Sequence, residues 1–116
     1  MQYKDEDEMS MPFQNIGPEE AQKLIAQGAQ VIDVRQPEEW LTGHIPEAEL
    51  VPLDGIYLFG RAIGDYPKDR DLILVCEQGH RSLSAAEIAL VAGHTRVYNL
   101  VGGMSAWRAR RLPITR

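Results

Sequence analysis

Leu72-Ile73-Leu74-Val75-Cys76-Glu77-Gln78-Gly79-His80-Arg81-Ser82 is the stretch on which the fold turns. It opens with four consecutive aliphatic residues, the pattern of a parallel strand buried on both faces. A short loop containing Gly79 follows, and Ser82 to Ala92 is an Ala-rich segment ending before Gly93 that reads as a helix. The chain's single Cys stands at the loop entrance. If the loop curls over the helix end, successive backbone N–H groups point inward and form an anion-binding concavity. A thiolate held there meets the partial positive charge of the helix, which favours the nucleophilic form. Gly79 permits the positive φ that so tight a loop needs. Arg81 adds a planar cation suited to an anionic substrate. The competing reading is structural, since a free Cys at a strand end often serves as a small core hydrophobe. The strand, loop and helix context favours the nucleophile.

Outward from this unit, strands alternate with helices. Gly17-Pro18-Glu19-Glu20 opens a helix, with Pro suited to the first helical position and the acids complementing the N-terminal dipole. Ala21, Leu24 and Ile25 supply its buried face, and Gly28 ends it. Gln30 to Val34 is a β-rich run, followed by a short helix from Pro37 to Leu41 that stops at Gly43. Leu50-Val51 reads as a very short strand, Asp54 to Ile63 as a helix, Arg96 to Leu100 as a strand and Met104 to Arg111 as a last helix. This alternation predicts an α/β fold with a central, mostly parallel sheet flanked by helices on both faces. Ligands of such sheets sit beyond the carboxyl ends of the strands, where Cys76 falls.

Composition bounds the function classes. The chain has 116 residues, long enough for one domain and too short for two. A hydrophobic content of 44% with 25% charged residues is that of a globular protein. One Cys excludes an internal disulfide, and His44, His80 and His94 show no ligand spacing, so no metal is expected. No apolar run approaches the ~18–20 residues of a membrane helix, and the N-terminus lacks the marks of a signal peptide. A cytoplasmic, reducing location is expected. Residues 1–10 carry four acids and one Lys, which predicts that residues 1–12 form an acidic, disordered tail ahead of a domain over 13–116. From Ile88 onward there are five Arg and no acid, yet the net charge of the chain is −5, so nucleic acid is not an expected partner.

Four motifs together resemble the rhodanese family, over about Ile16 to Pro113. Val31-Ile32-Asp33-Val34-Arg35, with Pro37-Glu38-Glu39-Trp40 and Gly43-His44-Ile45-Pro46, resembles its first signature. Val75-Cys76 through Gly79, Arg81 and Ser82 resembles its active-site loop, and Ser84-Ala85-Ala86 with Gly93 matches the helix after it. Val97-Tyr98-Asn99-Leu100-Val101-Gly102-Gly103 with Trp107 resembles its C-terminal signature. Cys76 to Arg81 counts six residues inclusively, the size associated in this family with sulfur transfer. Related phosphatases carry one residue more, which leaves a phosphatase or arsenate reductase-like activity as a minor alternative. The resemblance implies a sulfurtransferase in which Cys76 takes sulfur from a small donor such as thiosulfate, becomes a persulfide, and passes it to cyanide or a thiol. It implies no cofactor. The other reading is a persulfide relay or protein-binding module, fed by a sulfur-relay partner.

Glu77, Gln78, Gly79, His80, Arg81 and Ser82 are the expected substrate-binding residues. Glu77 departs from a simple thiosulfate enzyme, because its charge is expected to repel an anionic donor. Ser82 is either the N-cap of the helix or a hydroxyl partner of the Cys76 sulfur. Asp33, Arg35 and Trp107 are candidates for the pocket border; an ion pair is the preferred reading for the first two and a core position for Trp107. His44 reads as a local hydrogen-bonding residue near a helix end, and His94 is given no role. The sequence leaves oligomeric state open.

Overall fold

The computed structural model describes residues 13–116. The tail predicted over 1–12 lies outside the described residues. Five strands, β1 (Gln14–Ile16), β2 (Gln30–Asp33), β3 (Ala48–Leu50), β4 (Leu72–Val75) and β5 (Val97–Leu100), form one sheet in the order β1-β5-β4-β2-β3. Every pairing is parallel. Four helices connect them, α1 (Pro18–Ala26), α2 (Pro37–Trp40), α3 (Ile56–Gly64) and α4 (Arg81–Val91), and α5 (Gly103–Ala109) follows β5. Among the described residues no helix is long and apolar enough to cross a membrane.

The central strand is the one the sequence marks most strongly. All four residues of β4 are 1% exposed or less, and their alternation feeds two separate cores. Leu72 and Leu74 pack with Phe59 and Ile63 of α3 and with Ala85, Ala86 and Ala89 of α4. Ile73 and Val75 pack on the other face with Ala21 of α1 and with Met104 and Trp107 of α5. The helix leaving β4 and the helix leaving β5 therefore cover opposite faces of the sheet. Their loops meet at the carboxyl ends of the strands, where ligands of such sheets sit.

Among the departures from the sequence reading, three have a clear local reason. β1 was not anticipated: it has three residues, two of them polar and exposed, and only Ile16 is buried. Helix α3 begins at Ile56 rather than Asp54, because Gly55 sits at φ +136° and the Asp54 carboxylate accepts a hydrogen bond from Gln36 Nε2 at 2.9 Å. Strand β3 runs over Ala48–Leu50, its register against Val31–Asp33 of β2 placing Val51 beyond the pairing.

The two-sided burial of β4 makes its side chains costly to truncate. Ile73→Ala is expected to lower unfolding free energy by about 2–5 kcal/mol, read by denaturant titration at unchanged slope.

Candidate active site

The loop between β4 and α4 takes its shape from α5, which lies beyond α4 and β5 in the chain. The N–H of Met104 donates to the Cys76 carbonyl at 2.8 Å, and that of Ser105 donates to the Glu77 carbonyl at 3.0 Å. The first turn of α5 thus satisfies its own orphan donors with the loop's carbonyls. Gly103, at φ +55°, makes this approach feasible: a Cβ there would collide with the Cys76 carbonyl oxygen. Gly79, at φ +89°, is equally confined, since its Cβ would lie 2.8 Å from Gly102 N and 3.2 Å from the Leu100 carbonyl.

Further along the loop, two amides meet the sulfur. The N–H groups of Gly79 and Ser82 donate to Cys76 Sγ at 3.1 and 3.4 Å, and Ser82 Oγ stands 3.3 Å from the same sulfur. Cys76 is 1% exposed, and its sulfur lies at the N-terminus of the 11-residue helix α4. Converging N–H donors and the positive end of a helix favour negative charge on that atom. Such a sulfur can act as a nucleophile or hold an anionic group close to the amides.

Charges around the loop are paired with one another. Arg35 is fully buried; its guanidinium donates to Asp33 from Nε at 3.0 Å and from Nη2 at 2.9 Å, to the Gly43 carbonyl at 2.8 Å, and to Glu77 at 3.1 Å. Burial opposes its charge, but the Asp33 and Glu77 carboxylates outweigh that and leave it more firmly protonated than usual. Glu77 is also gripped by Arg108 at 2.7 Å. The Arg108 hydrogen bond is the main cause, with Arg35 adding to it against desolvation, that holds the Glu77 carboxyl below its ordinary value. The expectation that Glu77 repels anionic donors therefore needs correction: two arginines and two carboxylates compensate one another here. Arg81 differs too. It forms a two-pronged pair with Glu39 on α2, at 2.9 and 2.8 Å, instead of standing as a free cation. That pair pushes the Glu39 carboxyl down to about 2.

A sequence model of the rhodanese-like domain matches residues 17–110. The chain belongs to the rhodanese-like family. It is 38% identical over 101 residues to "Thiosulfate sulfurtransferase GlpE" of Pseudomonas paraeruginosa, covering 87% of this chain and 89% of that protein. It is also 38% identical over 84 residues to "Sulfurtransferase" of Allochromatium vinosum, covering 72% and 76% respectively. The crystal structure of a rhodanese-related protein from Thermoplasma volcanium shares the fold with a TM-score of 0.77 at 24% identity, over 88% of this chain and 97% of that one.

The remaining residues singled out from the sequence are spread more widely through this rhodanese-like domain. Gln78 donates to Ser105 Oγ at 3.1 Å, which ties the loop to α5 a third time. His80 takes the N-cap position of α4 without a side-chain cap, so Ser82, inside the helix, is free for the sulfur. Trp107 is buried in the core, its indole N–H donating to the Pro113 carbonyl at 2.8 Å. His44 stacks on Trp40, with Nδ1 3.0 Å from the Trp40 carbonyl. His94 is buried after α4, with Nε2 2.8 Å from the Ile63 carbonyl. Sequence reasoning gave no role to Asn99 or Asn15. Asn99 is buried on β5, bonds Ser82 Oγ through its Oδ1, and donates from Nδ2 to Asn15 Oδ1 at 2.9 Å. An amide among Val97, Tyr98 and Leu100 on a strand was the available signal, because a buried amide needs partners.

Gly103→Ala is expected to destabilise the protein by about 1–3 kcal/mol through backbone strain and to slow alkylation of Cys76 by releasing the loop carbonyls. Thermal unfolding and the rate with iodoacetamide read the two effects. A second expectation concerns pH. The stability supplied by Glu77 is complete above the ordinary carboxylate value of 4.5 and is lost as pH falls through its lowered folded value. The difference in melting temperature between wild type and Glu77→Gln is therefore expected to shrink between about pH 5 and about pH 3.

Proposed function

We propose that this domain is a thiosulfate sulfurtransferase in which Cys76 carries the transferred sulfur. The observation behind the reading is the sulfur of Cys76 inside a six-residue loop, receiving N–H donors from Gly79 and Ser82. The 38% identity to a protein named thiosulfate sulfurtransferase supports the choice of donor.

The reaction divides into two displacements at sulfur. The Cys76 thiolate attacks the outer sulfur of thiosulfate; a Cys–S bond forms, the S–S bond of the donor breaks, and sulfite leaves with the bonding electron pair. Cys76 is then a persulfide with its charge on the outer sulfur. An acceptor, cyanide or a thiolate, attacks that outer sulfur and departs as thiocyanate or a new persulfide, returning the Cys76 thiolate. Neither step requires a metal or organic cofactor. The inward amides and the α4 terminus stabilise negative charge in both states, so the intermediate forms without a large reorganisation. A small loop suits a single sulfur better than a tetrahedral phosphate, which weighs against the phosphatase alternative.

Repulsion of anionic donors by Glu77 would lean slightly toward the relay alternative. Because Arg35 and Arg108 hold that carboxylate, a dianionic donor meets a locally balanced charge, and direct use of thiosulfate is the better-supported reading. A reducing compartment such as the cytoplasm suits a chain that depends on one free thiol.

Cys76→Ser is expected to keep the fold and lose thiosulfate:cyanide activity by about 10³-fold or more. After incubation with thiosulfate, intact-mass spectrometry of the wild type should show the addition of one sulfur atom, absent from Cys76→Ser. Full activity in the variant would overturn the reading.

A further inference from the structure

The polar chain behind the sulfur has one proton fewer than its acceptors can use. Ser82 Oγ is in hydrogen-bonding contact with both Cys76 Sγ, at 3.3 Å, and Asn99 Oδ1. The Asn99 amide is oriented by its other end, where Nδ2 faces the Asn15 Oδ1 at 2.9 Å and the Gly79 backbone carbonyl at 3.4 Å. A carbonyl can only accept there, so Nδ2 is the donor and Oδ1 faces Ser82. An amide oxygen also only accepts. The single hydroxyl proton of Ser82 therefore goes to Asn99, and the thiol proton of Cys76 goes to Ser82 Oγ.

We propose that Asn99 is a positioning residue that competes with the Cys76 sulfur for the Ser82 proton, and so weights Cys76 against its bare thiolate. When the thiol loses its proton to solvent, the sulfur becomes a second acceptor for the same hydroxyl. If the hydroxyl turns to sulfur, Asn99 Oδ1, on a residue only 2% exposed, loses its donor. If it stays with Asn99, the thiolate keeps only the Gly79 and Ser82 amides. A persulfide removes the conflict. Its inner sulfur is bonded to two heavy atoms and uncharged, so the hydroxyl can stay with Asn99 while the outer sulfur carries the charge. The network thus favours the sulfur-loaded state over the free nucleophile; this last step rests on the reading of Cys76 as the sulfur carrier, whereas the proton competition does not.

Other charges near the loop leave this competition intact. Glu77 is held by Arg35 and Arg108, Arg35 also by Asp33, Arg81 is paired with Glu39, and His80 lies outside the cradle at the N-cap position.

The test is alkylation of Cys76 by iodoacetamide, a neutral reagent that needs no sulfur chemistry. Asn99→Leu, nearly the same size without the acceptor, frees the hydroxyl for the thiolate. It is expected to raise the rate at about pH 6 roughly fivefold, the worth of one hydrogen bond, and to move the pH–rate profile to lower pH. In a Ser82→Ala background the same substitution should have no effect, because the shared proton is gone. Asn99→Thr, in which a hydroxyl can donate as well as accept, serves if the Leu variant folds poorly, and is expected to accelerate alkylation in the same Ser82-dependent way. An unchanged or slower rate in folded Asn99 variants, or an equal acceleration with and without Ser82, would overturn the proposal. Loss of sulfur loading with the alkylation pattern intact would count against Cys76 as the carrier while leaving the proton competition standing.

Discussion

Two backbone hydrogen bonds, from Met104 and Ser105 at the start of α5 to the carbonyls of Cys76 and Glu77, hold the start of the Cys76 loop in place. Pinning these two carbonyls anchors the start of the loop on α5, and the amides that meet the sulfur come further along it, at Gly79 and Ser82. Loop shape is therefore set across the sheet rather than within the loop. The helix that supplies the donors sits on one face, packed through Met104 and Trp107, while the helix receiving the loop's end sits on the other. Parallel topology makes this arrangement available, because adjacent strands β4 and β5 end at the same edge and send their helices to opposite sides. The glycine at position 103 is the point where chain geometry, packing and chemistry meet, since any side chain there would separate the two loops.

A second layer of constraint comes from charge. A fully buried guanidinium is expensive to desolvate, and Arg35 is kept ionised by two carboxylates and a backbone carbonyl. Asp33 and Arg35 are two residues apart at the end of β2, whereas Glu77 begins the neighbouring loop, so the network joins the ends of adjacent strands. Arg108 on α5 closes it from the opposite side. Every link to Glu77 reinforces the outward pull on its backbone by α5. The carboxylate next to Cys76 is thus a structural tie with its charge compensated, and the cradle's electrostatics are left to amides and the helix end.

Much of this was legible in the sequence, and the misses share a cause. The run Leu72 to Val75 identifies the central strand because burial on both faces demands four apolar residues in succession. Pro18, Gly28, Gly79 and Gly93 mark the boundaries because each is required by, or excludes, a particular backbone geometry. The loop was readable from its own composition and length. Partners were not: Glu77 looked free because Arg108 lies 31 positions away, and Arg81 looked free because Glu39 lies 42 positions away. β1 escaped because an edge strand with two exposed polar residues has neither alternation nor an apolar run. Asn99 escaped because its importance depends on facing Ser82, a relation that pairing between strands creates and periodicity does not encode.

The placement of the polar chain against the sulfur has a wider consequence for how a cradle of this kind is tuned. A helix terminus and inward amides stabilise any anion at the site, the thiolate and the persulfide alike, and uniform stabilisation gives no preference between them. A preference needs a group that senses the protonation or substitution of the inner sulfur alone. Ser82 lies close enough to that atom to do so, and its second partner, Asn99, is buried on a strand that cannot shift without breaking its pairing to β1 and β4. The sheet thereby fixes one end of a short hydrogen-bond chain while the chemistry changes the other. In such a chain the discriminating element is the residue behind the hydroxyl, and the rigidity that makes it effective comes from the same parallel strands that position Cys76.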